Sequence, residues 1–278
     1  MNLAWDILRG STEQRVTNVG ILAVGVIGGV ILGVWAYREW RRKQRAALTI
    51  LLVSGALSIF GDAAARPLVG FHTDAVTEYP VVYQMFDRPI SFWLPAAFPL
   101  YAAMGYVAYL ALDDRWTKRR FLTWVGGLVV IEAVAELIMI NFGHAFAWTQ
   151  NQPLEVLGLG MVWPPTWVMS GMITGALIFF FGRHLNPARQ LLLLPLTSSP
   201  YFGMMVILSW PTIIAVNSPL AGIATTALGL VTLAGMAALL YVLTTFMEPR
   251  TLPGTSALPE RTAETVTPPA EQQALKRG

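Results

Sequence analysis

Long apolar runs separated by short polar segments dominate the chain. Seven windows are long and apolar enough to span a membrane: about 18–37, 46–64, 92–112, 121–140, 166–182, 191–214 and 220–246. Lipid offers backbone amides no hydrogen-bond partner, and these runs lack the two-residue alternation of barrel strands. We therefore expect an all-α, polytopic membrane helix bundle with about seven transmembrane helices, of which the fifth is the shortest.

Composition supports a membrane location. The 278 residues are 55% hydrophobic and 13% charged, which is far from the balance of a soluble domain. The chain has no cysteine, which excludes disulfides, thiol nucleophiles and thiolate metal sites. We expect a multi-pass protein of the plasma membrane whose partners are the bilayer and a lipophilic small molecule, and no nucleic acid.

Basic residues divide unevenly between the two sides of the predicted bundle. Fifteen of the 19 lysines and arginines lie in the loops after the first, third and fifth windows or in the tail. Only Arg9, Arg15, Arg66 and Arg88 fall on the other side. The positive-inside rule then predicts an N-terminus outside and a cytoplasmic C-terminus, in agreement with an odd number of spans.

Three segments are predicted along the chain. Residues 1–14 form a short N-terminal segment, and residues 15–246 form the transmembrane helical domain. Residues 247–278 are rich in proline and threonine and predict a disordered cytoplasmic tail. Within the domain, Leu154–Val162 is apolar but too short to span, which indicates a re-entrant or interfacial segment.

Two carboxylates interrupt the fourth apolar window. Glu132 and Glu136 are four residues apart, so both lie on one face of the predicted helix. Each ionised carboxylate at the membrane centre costs roughly 2.5–3.5 kcal/mol, so such residues usually face a protein interior or a cavity and mark a functional site. We expect this face to be the functional centre.

Further polar residues lie at the same predicted side. In the second window and just past its end, Ser54, Ser58, Asp62 and Arg66 recur every four residues, and Asp62 can pair with Arg66. Together with the aromatic loop residues they predict one cavity in the outer half of the membrane. Its candidate substrate-binding residues are Arg66, Asn141, His144, Asn151, Gln152, Trp163, Trp167, Tyr201, Trp210 and Asn217.

The chemistry that such a cavity favours is general acid–base catalysis. Two adjacent carboxyl groups can share one proton, so that one member donates while the other accepts. The candidate catalytic residues are Glu136, Glu132 and Asp62. Aromatic rings around them can stabilise a transient carbocation or oxocarbenium ion.

Other interpretations compete with catalysis. The two glutamates can join neighbouring helices by hydrogen bonds, or relay protons in a small proton-coupled transporter. A retinal protein needs a lysine in its last span to form the Schiff base. This class is excluded because the lysines, Lys43, Lys118 and Lys276, all lie outside the last window. No metal is predicted, since the histidines lack a metal-binding spacing.

Several short motifs resemble the AveC-type spirocyclase family of actinobacteria. The resemblance covers most of residues 50–245. It rests on Asn151-Gln152-Pro153, Leu157-Gly158 and Trp163, on Trp210-Pro211-Thr212 with Asn217-Ser218, on Gly61-Asp62 and Pro67, on Ile90-Ser91 and Trp93, and on Glu136 with Asn141-Phe142-Gly143.

This resemblance implies a membrane enzyme of polyketide biosynthesis in secondary metabolism. Such an enzyme closes a dihydroxy-ketone to a spiroketal, with dehydration in some members, and uses no cofactor. In our interpretation Glu136 protonates the ketone or hemiketal oxygen, while Glu132 or Asp62 accepts the proton of the attacking hydroxyl. A membrane terpenoid or carotenoid cyclase or hydratase would need the same residues and stays an alternative.

Overall fold

The computed structural model describes residues 12–72, 81–85, 88–91, 93–148, 151–220 and 222–247. The chain divides into two units, Met1–Glu248 and Pro249–Gly278. Nearly all of the predicted disordered tail, and the predicted N-terminal segment up to residue 11, lie outside the described residues, so both predictions remain untested.

Helices make up most of the first unit. In chain order they are α1 (Thr12–Lys43), α2 (Ala47–Val69), α3 (Trp93–Asp113), α4 (Lys118–Asn141), α5 (Trp163–Gly182), α6 (Pro187–Gln190), a 3₁₀ turn (Leu191–Leu193), α7 (Leu194–Leu208), α8 (Trp210–Val216) and α9 (Ile223–Thr245). The strands are β1 (Phe71–His72), β2 (Val81–Met85), β3 (Arg88–Ser91), β4 (Ala147–Trp148), β5 (Glu155–Val156) and β6 (Leu159–Gly160). The pairs β1–β4, β2–β3 and β5–β6 are antiparallel.

Among the described residues, five helices are long and apolar enough to cross a membrane: α1, α3, α4, α5 and α9. The prediction of a helical membrane bundle is thereby confirmed. Helix α2 contains a shorter apolar stretch, Ala47–Gly61. The sixth predicted window is not one helix: α7 ends at Leu208 and α8 begins at Trp210, just before Pro211.

The helix predicted to be shortest, α5, is the most buried of the five. It begins at Trp163, three residues before the predicted window, because prolines suit the first turn of a helix. In its most apolar stretch 67% of the residues are buried, against 28% in α4 and 6% in α1. Helix α5 packs against α3, α4, α7 and α9 and therefore forms the centre of the bundle.

Helices α3 and α5 cross at three glycines. A Cβ atom on Gly175 would overlap the carbonyl oxygen of Gly105, and one on Gly105 would overlap that of Gly171. Small residues at such a crossing let two backbones touch in a membrane bundle. Tyr101 lies one turn before Gly105 and Trp167 one turn before Gly171, so this crossing fixes how far apart these two aromatic residues lie.

One end of the bundle carries the short strands, and we call it the hairpin end. There α2 is capped by Gly70, whose φ of 73° terminates the helix and whose N–H donates to the backbone carbonyl oxygen of Arg66 at 3.1 Å. Strand β1 follows at once and pairs Phe71 with Trp148.

The segment Leu154–Val162 was predicted to be re-entrant or interfacial. The segment folds into the β5–β6 hairpin, and its position relative to the membrane stays a prediction. Its turn places Leu157 and Gly158 at φ values of 51° and 81°, the positive values of a tight two-residue hairpin turn.

The opposite end, which we call the basic end, holds a network of ion pairs around Glu39. This carboxylate is 5% exposed and accepts hydrogen bonds from Tyr106 at 2.7 Å and Trp35 at 3.3 Å, with Lys43 Nζ at 2.9 Å. Arg45 lies 3.7 Å from it. The network joins α1 to α3.

Arg45 extends this network to the end of α3. Its guanidinium lies 2.6 Å from Asp113 and 2.7 Å from Asp114. Partial burial alone would lower the pKa of Arg45, but the hydrogen bond to Asp114 and the charges of both aspartates raise it above its ordinary value. Arg45 therefore stays charged, with its guanidinium occupied by these carboxylates.

Candidate functional site

Glu132 and Glu136 lie on the buried face of α4. They are 2% and 4% exposed, and share this face with Phe121, Val125 and Ala133. Several other large residues of the helix, such as Val130 and Ile131, are exposed and apolar, as a lipid-facing surface requires. The prediction that both carboxylates face the protein interior is confirmed.

Each carboxyl group faces an aromatic donor on a neighbouring helix. The indole nitrogen of Trp167 on α5 donates to Oε1 of Glu136 at 2.6 Å. The hydroxyl of Tyr101 on α3 is within hydrogen-bonding reach of the Glu132 carboxyl group. The pair therefore lies where α3, α4 and α5 meet, next to the α3–α5 crossing.

One oxygen of each carboxyl group, which we call unoccupied, has no hydrogen-bond partner among the described residues. These atoms are Oε1 of Glu132 and Oε2 of Glu136, and both are buried. An unsatisfied buried oxygen typically costs about 1–3 kcal/mol, more where it carries charge. Such atoms are expected where a proton or a ligand is received.

Aromatic rings connect this pair to the hairpin end, and we call them the aromatic column: Phe71, Trp148, Trp163 and Trp167. Trp148 and Trp163 are stacked with centroids 4.9 Å apart, and Phe71 meets Trp148 edge-on at 5.1 Å. Trp163 and Trp167 are one turn apart on α5, so they share a face. Trp167 then reaches Glu136, so the column runs from the hairpin end to the carboxylates.

Two predicted binding residues contact the aromatic column at the hairpin end. Gln152 is 5% exposed and accepts a hydrogen bond from the Trp163 indole at 2.7 Å. Arg66 is 2% exposed, and its guanidinium lies 4.9 Å from the ring centre of Phe71. A cation over a ring face is attracted by the ring quadrupole, which stabilises this arrangement.

Replacing Gln152 with leucine should destabilise the protein by about 1–3 kcal/mol, because the buried N–H of Trp163 loses its acceptor. Thermal unfolding in detergent measures the effect. Adding Trp163→Phe to the Gln152→Leu variant removes the stranded donor, so the double variant should lose less than the sum of the two single variants. Additive losses would show that this hydrogen bond contributes nothing of its own.

Two further candidates connect elements at the hairpin end. The side-chain nitrogen of Asn141 donates to the carbonyl groups of Leu137 and Leu157, at 3.0 and 3.1 Å. The side-chain nitrogen of Asn217 donates to the carbonyl group of Leu68 at 2.6 Å and to that of Ile213 at 2.9 Å. Both amides therefore join a helix end to a neighbouring segment, and both side chains are exposed.

Three other candidates do not join the buried group. Asn151 and His144 are exposed and have positive φ values of 71° and 46°, which places them in turns of the loop after α4. Trp210 is 56% exposed at the start of α8. The side chains of Asp62 and Tyr201 lie outside the described residues, so the predicted pairing of Asp62 with Arg66 stays a prediction.

No family model, curated protein or solved structure matches this chain. In the described part of the chain, no three histidine, aspartate or glutamate residues lie close enough together to hold a metal ion.

Two residues that the sequence analysis did not select are prominent in the structure. Tyr101 was hidden because one tyrosine in an apolar helix is ordinary, and only its position opposite Glu132 distinguishes it. Glu39 lay just beyond the predicted first window, amid basic residues. The spacing of Trp35, Glu39 and Lys43, each four residues apart, is the sequence signal that could have found it.

Proposed function

We propose that this chain is a membrane-embedded acid–base cyclase that uses no cofactor, with Glu136 as proton donor and Glu132 as proton acceptor. The observation that carries the proposal is the pair of unoccupied, buried carboxyl oxygens one helical turn apart. An acid and a base close together and shielded from water are what general acid–base catalysis requires.

The hydrogen bond from Trp167 supports the choice of Glu136 as the proton donor. Because Oε1 accepts from the indole N–H, a protonated Glu136 carries its hydrogen on Oε2, the oxygen without a partner. That hydrogen is free to be donated to a substrate. Oε1 of Glu132 is free to accept one, so the two groups act on opposite steps of a single reaction.

The proposed reaction is closure of a dihydroxy-ketone to a spiroketal. One substrate hydroxyl adds to the ketone and gives its proton to Glu132, while Glu136 protonates the ketone oxygen, and a hemiketal forms. The proton then passes from Glu132 to Glu136, which protonates the hemiketal hydroxyl so that it leaves as water. The second hydroxyl attacks the resulting oxocarbenium ion and gives its proton back to Glu136. One water is released and no electrons are transferred. Aromatic rings can stabilise such a cation, and Trp167 lies beside Glu136.

Access to this pair is proposed to come from the bilayer. Both unoccupied oxygens are buried, while α4 exposes an apolar surface to lipid and has only 28% of its most apolar stretch buried. A small displacement of α4 away from α3 would admit a lipophilic substrate sideways. This route avoids any need for a water-filled entrance.

We further propose seven membrane crossings, with α2 and the broken pair α7–α8 added to the five spanning helices. The positive-inside distribution then puts the N-terminus outside, the basic end in the cytoplasm and the hairpin end outside the plasma membrane. Glu132 and Glu136 fall in the half nearer the hairpin end. Entry from the bilayer allows a substrate made in the cytoplasm to reach them.

A test of the proposal uses the full chain in lipid nanodiscs with linear dihydroxy-ketones of varied chain length. Product is followed by chiral chromatography with mass spectrometry. We expect loss of one water and a single configuration at the spiro carbon, because the site exposes one face of the oxocarbenium ion. The rate and the mixture of configurations found in protein-free nanodiscs would contradict it.

A proton relay within a small transporter is the second candidate. The same observation favours it, since two unoccupied carboxyl oxygens one turn apart suit proton exchange. Solute uptake into proteoliposomes that follows an imposed proton gradient, and is lost in Glu136→Gln, would support the relay over the cyclase.

A linear polyene in the nanodisc assay tests the terpenoid alternative, in which the product is a cyclic isomer or a hydrate.

A further inference from the structure

A groove between α1 and α2 at the basic end is separate from the carboxylate site. One face of α1 forms its first wall, and one face of α2 forms the other. The cavity measures about 450 Å³, within the range of small-ligand pockets. It is lined by Gly33, Ala36, Tyr37, Trp40 and Arg41 of α1 and by Thr49, Leu52 and Val53 of α2.

The groove is apolar along its length and has one cation at its rim. Gly33 leaves it open, since a Cβ atom there would meet nothing within 4 Å. Tyr37 and Trp40 lie near the end of α1 beside the basic cluster, where amphipathic rings favour the headgroup region of a bilayer. An elongated hydrocarbon chain with a polar end fits this distribution.

The ion pairs of the basic end single out Arg41 as the cation available to a ligand. Lys43 is paired with Glu39, and Arg45 with Asp113 and Asp114. No ion pair within the described residues occupies Arg41. Arg38 and Arg42 are also unpaired there, but neither lines the groove. A free guanidinium beside an apolar groove is complementary to a phosphate that carries an acyl chain.

We propose that this groove binds an anionic phospholipid from the leaflet at the basic end, with the phosphate on Arg41 and one acyl chain between α1 and α2. The lipid would fill the gap that Gly33 leaves and increase the contact between α1 and α2. This matters because α1 is the least buried of the spanning helices, with 6% of its most apolar stretch buried.

Native mass spectrometry of the full chain tests this, with phosphatidylglycerol and phosphatidylcholine of identical acyl chains added separately. We expect one phosphatidylglycerol to be retained in preference to phosphatidylcholine. Arg41→Gln should reduce that retention about fivefold, the effect of one arginine at an anionic surface, while Arg42→Gln on the same turn should not. Gly33→Leu should block the groove, whereas Gly235→Leu, which also adds its side chain in open space, should not.

Several results would overturn the proposal: equal retention of the two lipids, equal losses in Arg41→Gln and Arg42→Gln, or unchanged retention in Gly33→Leu. A dimer mass in place of a bound lipid would assign the groove to a second copy of the chain. Val53→Trp closes the groove from α2, where the side chain is 39% exposed. It keeps the test valid if Gly33→Leu does not fold.

Discussion

Replacing Glu136 with glutamine is expected to reduce product formation about 100- to 10,000-fold, the usual contribution of a positioned general acid. Glutamine keeps the shape of the side chain, and its amide oxygen can still accept from Trp167 at the position of Oε1. What it loses is the transferable proton on the second oxygen. The measurement is the initial rate of spiroketal formation in nanodiscs, with the thermal unfolding midpoint recorded for the same samples.

Glu155→Gln is the matched control, because it makes the same chemical change on the exposed β5 strand. Its rate should equal that of the unmodified chain. Glu132→Gln should also lose activity, but through the hydroxyl attack that forms the hemiketal, so a substrate supplied as the closed hemiketal should restore part of the rate in that variant. Full activity in a folded Glu136→Gln protein would refute the proposed donor.

The position of the carboxylate pair could be read from the sequence, and the identity of its partners could not. A spacing of four residues fixes a shared helix face whatever the rest of the fold does, so the burial of Glu132 and Glu136 together was predictable. Trp167 and Tyr101 meet them only because of how α3, α4 and α5 cross. That geometry depends on the glycine contacts between α3 and α5, which no local pattern encodes.

The predicted helix boundaries are wrong where aromatic or proline residues interrupt an apolar run. The window for α5 began too late because Trp163, Pro164 and Pro165 look like the end of a loop, although proline is well accommodated in a first helical turn. The sixth window ran across Pro211, whose missing N–H and fixed φ instead suit the start of a new helix, α8. Both the start of α5 and the extent of the sixth window were predicted from apolarity alone, which contains no information on backbone geometry.

The ion pairs at the basic end could not be predicted from the distribution of charge along the sequence. In the sequence, Lys43 and Arg45 indicated only the orientation of the chain in the membrane. In the structure Lys43 is paired with Glu39 and Arg45 with Asp113 and Asp114, so both join helices as well. Arg41, in the same cluster, lines an apolar groove and has no such pair among the described residues. Composition could not separate these roles, because they depend on which side of α1 Lys43 and Arg41 face and on how the loop after α1 places Arg45.

Replacing Gly175 with alanine is expected to give the largest loss of stability of any single methyl addition in the described bundle. The added Cβ would overlap the carbonyl oxygen of Gly105, and backbone atoms cannot move aside as a flexible side chain can. Overpacking of this kind costs typically about 1–3 kcal/mol and occasionally more. Thermal unfolding in detergent should show a clear fall in the midpoint or loss of folded protein.

A graded series separates overlap at the crossing from any general effect of alanine. At Gly171 the nearest atoms would be 3.2 Å from the new Cβ, so Gly171→Ala should be milder than Gly175→Ala. At Gly126 on α4 nothing lies within 4 Å, so alanine should be neutral, or more stable by up to about 1 kcal/mol through helix propensity. Equal losses at all three positions would refute the close crossing. The crossing sets the separation of Tyr101 and Trp167. Folded Gly171→Ala protein should therefore also lose the proposed cyclase activity, while Gly126→Ala should retain it. That result would connect the packing of α3 and α5 to the acid–base pair.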